Sequence, residues 1–261
     1  MMSMTRRRLL ATASGTALLA LAPVARAEEP IKFGLVAALS GESARAGEAI
    51  TRGLTIAIDE INAKGGILGR KVELVRRDDE SNPSKGLAAA RELIQREKVT
   101  VLFGGLDTPV SMAIVPLANS EKTPFMGTWA AGTPITRNGA NPNYVFRVSA
   151  VDELVDKAIL QYALKTYSAK NPGMILVNNS WGESNEAGLK AALAAQNIKY
   201  AGIEKFEGNE LDVVPQLSRL KAGGADVLFL VGNVGPASQV VKSLDRMGWK
   251  VPVVSHWGPA G

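Results

Sequence analysis

The chain has 261 residues, 46% hydrophobic and 21% charged, with one histidine and no cysteine, a composition that fits a globular protein of one or two domains. Its net charge of +5 comes from the first 27 residues, which hold Arg6, Arg7, Arg8 and Arg26 and no acid. Without them 26 basic residues face 25 acidic ones and the net charge is +1, which argues against a basic nucleic-acid-binding surface.

Residues 1–27 have the order of a signal peptide: a basic start at Arg6-Arg7-Arg8, an apolar stretch over 9–21, and small residues at Ala25-Arg26-Ala27. Thr5 to Leu10 resembles the twin-arginine consensus; the general secretory route is the alternative. No later run of ~18 apolar residues follows, as a membrane span would need. Without cysteine there is neither a disulfide nor a lipid-anchored thiol. A free periplasmic protein is expected.

Beyond the leader, strand and helix alternate. Residues 31–39 form an apolar run expected of a buried parallel strand. Ile50, Leu54, Ala57, Ile58 and Ile61 recur at helical spacing and stop at Gly65-Gly66. A strand is expected over 71–77, and a helix capped at Asn82, with Pro83 at its first position, to about 97. Residues 99–103 are the next strand, and Asp107-Thr108-Pro109 opens a helix with Val110, Ala113, Ile114 and Leu117 on one face. A strand over 124–128, a turn-rich link over 138–143 and a strand over 144–148 follow.

The rhythm then restarts, with a helix carrying Val155, Ala158, Ile159 and Tyr162 on its apolar face. Strands are expected over 174–178, 198–206, 227–231 and 251–255, separated by helices over 183–195, around Val213 to Leu220, and around Ala237 to Leu244. Strands separated by helices make parallel sheets covered on both faces. The fold class is therefore α/β, with two doubly wound lobes over 28–147 and 148–261 and a ligand cleft between them. In such sheets ligands sit at the carboxyl ends of strands.

Enzyme signatures are missing. A single histidine, His256, excludes multi-histidine metal sites, and the absence of cysteine removes thiol ligands and nucleophiles. There is no P-loop, no Gly-x-Gly-x-x-Gly after the first strand and no nucleophile elbow around His256. Asp78-Asp79-Glu80 is expected to cap the helix at Pro83 and line a strand end rather than hold a cation. Neither a metal nor another cofactor is expected.

Specific motifs begin in the first lobe. Leu39-Ser40-Gly41, residues 44–47, the run from Asp59-Glu60-Ile61-Asn62-Ala63-Lys64-Gly65-Gly66-Ile67 to Lys71, then Asp78-Asp79 and Pro83 follow in order. This set resembles the leucine/isoleucine/valine-binding family of periplasmic proteins. The resemblance implies two Rossmann-like lobes joined by three crossovers. It implies a small-molecule ligand, an amino acid or related carboxylate, closed between the lobes, and monomers that deliver it to the permease subunits of an ABC importer. An extracytoplasmic ligand-sensing domain of a regulatory system is the alternative use of the fold.

By the same resemblance, Ser40 and Arg45 lie near the first strand end. Asp107 and Thr108 offer a helix N-terminus and a hydroxyl to the ligand carboxylate. Trp129, Ala130 and Ala131 follow the fourth strand. Trp181 closes over the ligand from the second lobe, where Asn233, Val234, His256 and Trp257 also face the cleft. Three departures stand out. Trp257 occupies the place of the acid that holds an α-ammonium, Ala131 lacks an expected hydroxyl, and Ala46 replaces an aromatic residue. Losing the acid favours an apolar or aromatic acid over an α-amino acid. Family members also continue beyond Gly261, so the expectation is a fragment or a shortened protein with incomplete sheets. Replacing Arg6 and Arg7 by Lys is expected to block export by the twin-arginine route; unchanged appearance of mature protein in the periplasm would point to the general route.

Overall fold

The computed structural model describes residues 29–41 and 43–260; the expected leader, 1–27, lies outside the described residues. The first sheet takes β1 (Ile31–Ala37), β2 (Val72–Asp78), β3 (Val101–Gly104), β4 (Phe125–Gly127) and β5 (Val145–Arg147) in the order β2-β1-β3-β4-β5. Its connecting helices are α1 (Ala44–Ala63), α2 (Pro83–Gln95) and α3 (Thr108–Ser120). The second sheet takes β6 (Gly173–Val177), β7 (Gly202–Phe206), β8 (Leu228–Val231) and β9 (Val253–Ser255) in the order β7-β6-β8-β9. It carries α4 (Asp152–Tyr167), α5 (Ser180–Ala195), α6 (Val214–Ala222) and α7 (Val234–Arg246). Every strand pairing is parallel. In each sheet the order reverses beside the first strand, which opens a crevice at the carboxyl ends of β1 and β3, and of β6 and β8.

The strands read as apolar runs because helices cover both faces. All of β6 is buried, and so is all of β8. One core gathers Leu93, Leu102, Ile114 and Phe125; the other gathers Ile175, Leu176, Phe206 and Phe229. Each such side chain contributes about 1.5–3 kcal/mol by leaving water.

Three local expectations are corrected. The acidic run does not cap α2. Asn82 does, as its place before Pro83 predicts, its Oδ1 accepting from the N–H groups of Ser84 (2.9 Å) and Lys85 (3.1 Å), while Asp78 accepts from Leu39 N and Glu80 N and Asp79 from Ser81 N. The turn at the strand end ties Asp78 to the residues after β1 and folds Asp79 back onto its own turn. Secondly, α5 begins at Ser180, not near 183, because Asn179 caps it through Trp181 N (2.9 Å) and Gly182 N (3.2 Å). Trp181 therefore sits in the first helical turn. Thirdly, the buried residues of α4 are Asp152, Asp156, Leu160 and Ala163, while Tyr162 is exposed. The inward stripe is rotated from the apolar one because α4 packs its acids against a polar pocket.

Two glycines let helices start hard against strand ends. A Cβ on Gly47 would lie 1.8 Å from Ala38 O, and one on Gly182 would lie 1.8 Å from Val177 O. Gly182→Ala is expected to cost about 1–3 kcal/mol through forced backbone shifts. Gly208→Ala, where no atom lies within 4 Å, is the neutral control; urea unfolding midpoints of the two variants check this.

Candidate functional site

The carboxyl ends of the two sheets face each other, and the space between them is divided. A cavity of about 360 Å³ is lined by Asp107 and Thr108 at the start of α3 and by Asn179, Trp181, Asn209 and Asn233 from the second lobe. A second, of about 300 Å³, is lined by Arg45, Ala46, Trp129, Asn233 and Val234 and by the short 3₁₀ turn Gly258–Ala260. Between them a gap of only about 20 Å³ is left where Asp107, Thr108, Trp129, Trp181, Asn233 and Trp257 converge. The lobes touch here. Asn233 Nδ2 donates to Asp107 Oδ1 at 3.1 Å, and at a separate contact outside the gap Thr133 N donates to Ser184 Oγ at 2.9 Å.

The loop after β4 is held from several sides. Ala130 N donates to Gly105 O, and Ala130 O accepts from Ser149 Oγ at 2.7 Å. Ala131 O accepts from Asp152 N (2.9 Å) and Arg147 Nη1 (2.9 Å), and Gly132 O accepts from Arg147 Nη2 (2.7 Å). Gly132 N donates to Thr108 Oγ1 at 3.2 Å, so the buried Thr108 hydroxyl already serves the loop. A Cβ at Gly132 would fall 2.4 Å from Thr108 Cγ2, which fixes glycine there. Ala130 and Ala131 line the narrow gap, but their carbonyls are engaged within the protein. Arg147 was legible only as a residue near the lobe junction; its guanidinium turns out to clasp the loop and the crossover together.

Of the expected residues, Asp107, Thr108, Trp129, Ala130, Ala131, Trp181, Asn233 and Trp257 meet at the gap. Arg45 and Val234 line the second cavity. Ser40 is exposed and lines none of these spaces; it bonds Asp78, whose pKa its hydroxyl and the Glu80 and Leu39 N–H groups lower against the effect of burial. His256 is likewise withdrawn: buried behind the two indoles, its ring centroid lies 5.7 Å from Trp181, edge-on, and 5.0 Å from Trp257.

Behind the cleft lies a cluster that motif reasoning missed. Asp152 and Asp156, one turn apart on α4, are fully buried, and His256 Nε2 is 3.8 Å from Asp152 Oδ1 and 3.6 Å from Asp156 Oδ1. Trp181 Nε1 donates to Asp152 Oδ1 at 3.2 Å. Burial pushes both acids up, Asp156 to about 9, with the neighbouring Asp152 charge adding to the effect on Asp156. Burial pushes His256 down, against the pull of Asp152. The fold thus favours a protonated Asp156 and a neutral imidazole. The signal in the sequence was the i, i+4 spacing of two acids on a helix, indistinguishable there from a solvated face.

Comparison with known proteins now identifies the chain. It belongs to the periplasmic binding protein family, whose model matches residues 30–260. The Leu/Ile/Val-binding protein BraC3 of Rhizobium johnstonii is 31% identical over 251 residues, covering 95% of this chain and 66% of that protein. A solute-binding protein of an ABC transporter from R. palustris, solved in complex with 4-hydroxybenzoate, is 29% identical with a TM-score of 0.77, covering 88% of this chain and 62% of that one. The periplasmic binding protein type 1 from Bordetella pertussis, 24% identical with a TM-score of 0.83 over 89% of this chain and 64% of its own, shares the fold. The chain therefore spans about two thirds of the length of these relatives. Among the described residues no helix is long and apolar enough to cross a membrane.

The raised Asp156 sets a pH dependence. Its native form holds a proton that the unfolded chain releases near the ordinary carboxylate pKa of ~4, so its contribution to stability is lost as pH rises from there through about 9. Asp156→Asn keeps a neutral group at every pH. The variant is expected to gain on the native protein progressively between mildly acidic and alkaline pH, read as urea midpoints at a series of pH values.

Proposed function

We propose that this protein is the solute-binding component of an ABC importer, taking a small organic molecule into the cleft between its lobes and presenting it to the permease. The observation that carries this reading is the run of cavities lined jointly by the carboxyl ends of both sheets, with three tryptophans, Trp129, Trp181 and Trp257, at its centre. Aromatic walls with a few placed polar groups are what small-molecule sites are made of. The descriptions of the relatives support it, naming leucine, isoleucine, valine and an aromatic acid as ligands of those proteins.

In this reading the lobes are 28–147 and 148–261, and the gap residues are the ligand contacts, with Arg45 and Val234 flanking them. Amino acids and apolar or aromatic acids are the solutes the resemblance favours. Ser40 and His256 act from behind, the first on the strand-end loop and the second on the indoles. Transport places the protein in the periplasm, exported by the leader over 1–27.

The narrow gap cannot hold a ligand without movement of the lobes, so binding requires opening and reclosure about the 148–151 crossover. A thermal-shift screen of amino acids, aromatic acids, short aliphatic acids and the corresponding amines identifies ligands; one at 100 times its Kd adds about 2.7 kcal/mol of stability. Small-angle scattering with a hit is expected to show a change in radius of gyration on saturation. Trp181→Ala is expected to weaken binding by about 1–3 kcal/mol, the worth of a buried aromatic contact. Unchanged affinity in that variant would remove the cleft from the mechanism.

A further inference from the structure

The polar half of the cleft has an unexpected charge. Helix α3 starts where the resemblance implies a carboxylate anchor, yet its N-cap is Asp107, whose side chain makes no capping bond. One carboxylate oxygen is taken by Asn233 Nδ2 across the lobes; the other, Oδ2, is buried with no hydrogen-bond partner. Pro109 removes one of the N–H groups an anion would use at that helix start. The remaining lining of this cavity adds hydroxyls and amides, from Ser81, Asn179, Asn209 and Asn233, but no basic side chain. Its other acid, Glu80, is already paired with Lys85 at 2.6 Å. Behind the wall lies Asp79, fully buried and with one oxygen unpartnered, its pKa pushed up to about 6 chiefly by burial and further by the charges of Asp107 and Asp78. A ligand carboxylate seated here would face the Asp107 charge at close range in a partly desolvated space. An ammonium would supply the missing donor to Oδ2 in a charge-assisted hydrogen bond.

We infer that Asp107 selects the ligand by charge: the cleft takes solutes carrying an ammonium group, which binds Asp107 at the wall of the larger polar cavity, reaching the Oδ2 that is sealed while the lobes touch. The apolar body of the solute then lies against Trp129, Trp181 and Trp257. A carboxylate is not required, and where the solute has one it extends towards Arg45 in the second cavity. This rests on the cleft being the binding site and narrows its ligand. It also supplies, from the opposite lobe, an ammonium partner in place of the acid whose position Trp257 occupies.

Matched probes test it on the full chain by calorimetry at neutral pH: phenylalanine, phenethylamine and 3-phenylpropanoate, with leucine, 3-methylbutylamine and 4-methylpentanoate as an aliphatic set. The amine and the amino acid are expected to bind at least about tenfold more tightly than the acid of the same set. Asp107→Asn keeps a carbonyl for the Asn233 amide but not the charge, and is expected to erase that preference. Asp107→Ser serves as a second variant, with thermal midpoints checking that both fold. An acid binding as tightly as its amine, or a preference that survives in both variants, overturns the inference while leaving the cleft as the site. No binding by any of the six probes overturns the inference as well, and a featureless wider solute screen would take the proposed function with it.

Discussion

Asp152 is the joint on which the cleft is assembled. Its N–H holds the carbonyl of Ala131 in the first-lobe loop, and its carboxylate takes the indole N–H of Trp181 from the second lobe. It stands at the first turn of α4, immediately after the 148–151 crossover. A single buried residue thus links the loop, the crossover and the aromatic wall. Removing a carboxylate from water is costly unless hydrogen bonds return the lost solvation. Trp181 Nε1 returns part of it, yet Asp152 Oδ2 has no hydrogen-bond partner and burial still holds the carboxyl above its ordinary range. The bond that is made sets the position of the indole.

Around that joint the protein keeps its polar groups where they organise other groups. Arg147 spends its guanidinium on the carbonyls of Ala131, Gly132 and Ala150 and on the Thr136 hydroxyl. Thr108 spends its hydroxyl on Gly132 N. At the narrow gap the three indoles converge on Asp107, one of whose oxygens is buried without a hydrogen-bond partner. On the proposed reading, shape and the charges of Asp107 and Arg45 would discriminate between solutes, and a change of charge at one residue would alter the class of solute more than its fit.

The hydrophobic periods marked all the strands and helices of the two sheets because parallel sheets covered on both faces need continuous apolar runs. Their ends were less legible. At α5 a side-chain cap from Asn179 drew Trp181 into the helix, and caps depend on a rotamer rather than on a period. At α4 the apolar residues Val155, Ile159 and Tyr162 form a plausible stripe, yet the buried face carries Asp152 and Asp156. Hydrophobicity cannot forecast that, since a buried acid is stable only where distant partners meet it.

By itself the sequence determined the α/β alternation, the restart of the pattern after Arg147, the family, and which strand ends would carry the tryptophans, all of which follow from local spacing and short motifs. Only the tertiary structure decided that His256 lies behind the cleft instead of in it, that Ser40 serves Asp78, and that Asp107 offers an unpaired oxygen where a carboxylate anchor was expected. Those outcomes depend on contacts between residues far apart in the chain, such as Asp107 with Asn233 and His256 with Asp156. The free energy of a charge is set by what surrounds it in space, which no run of neighbours along the chain specifies.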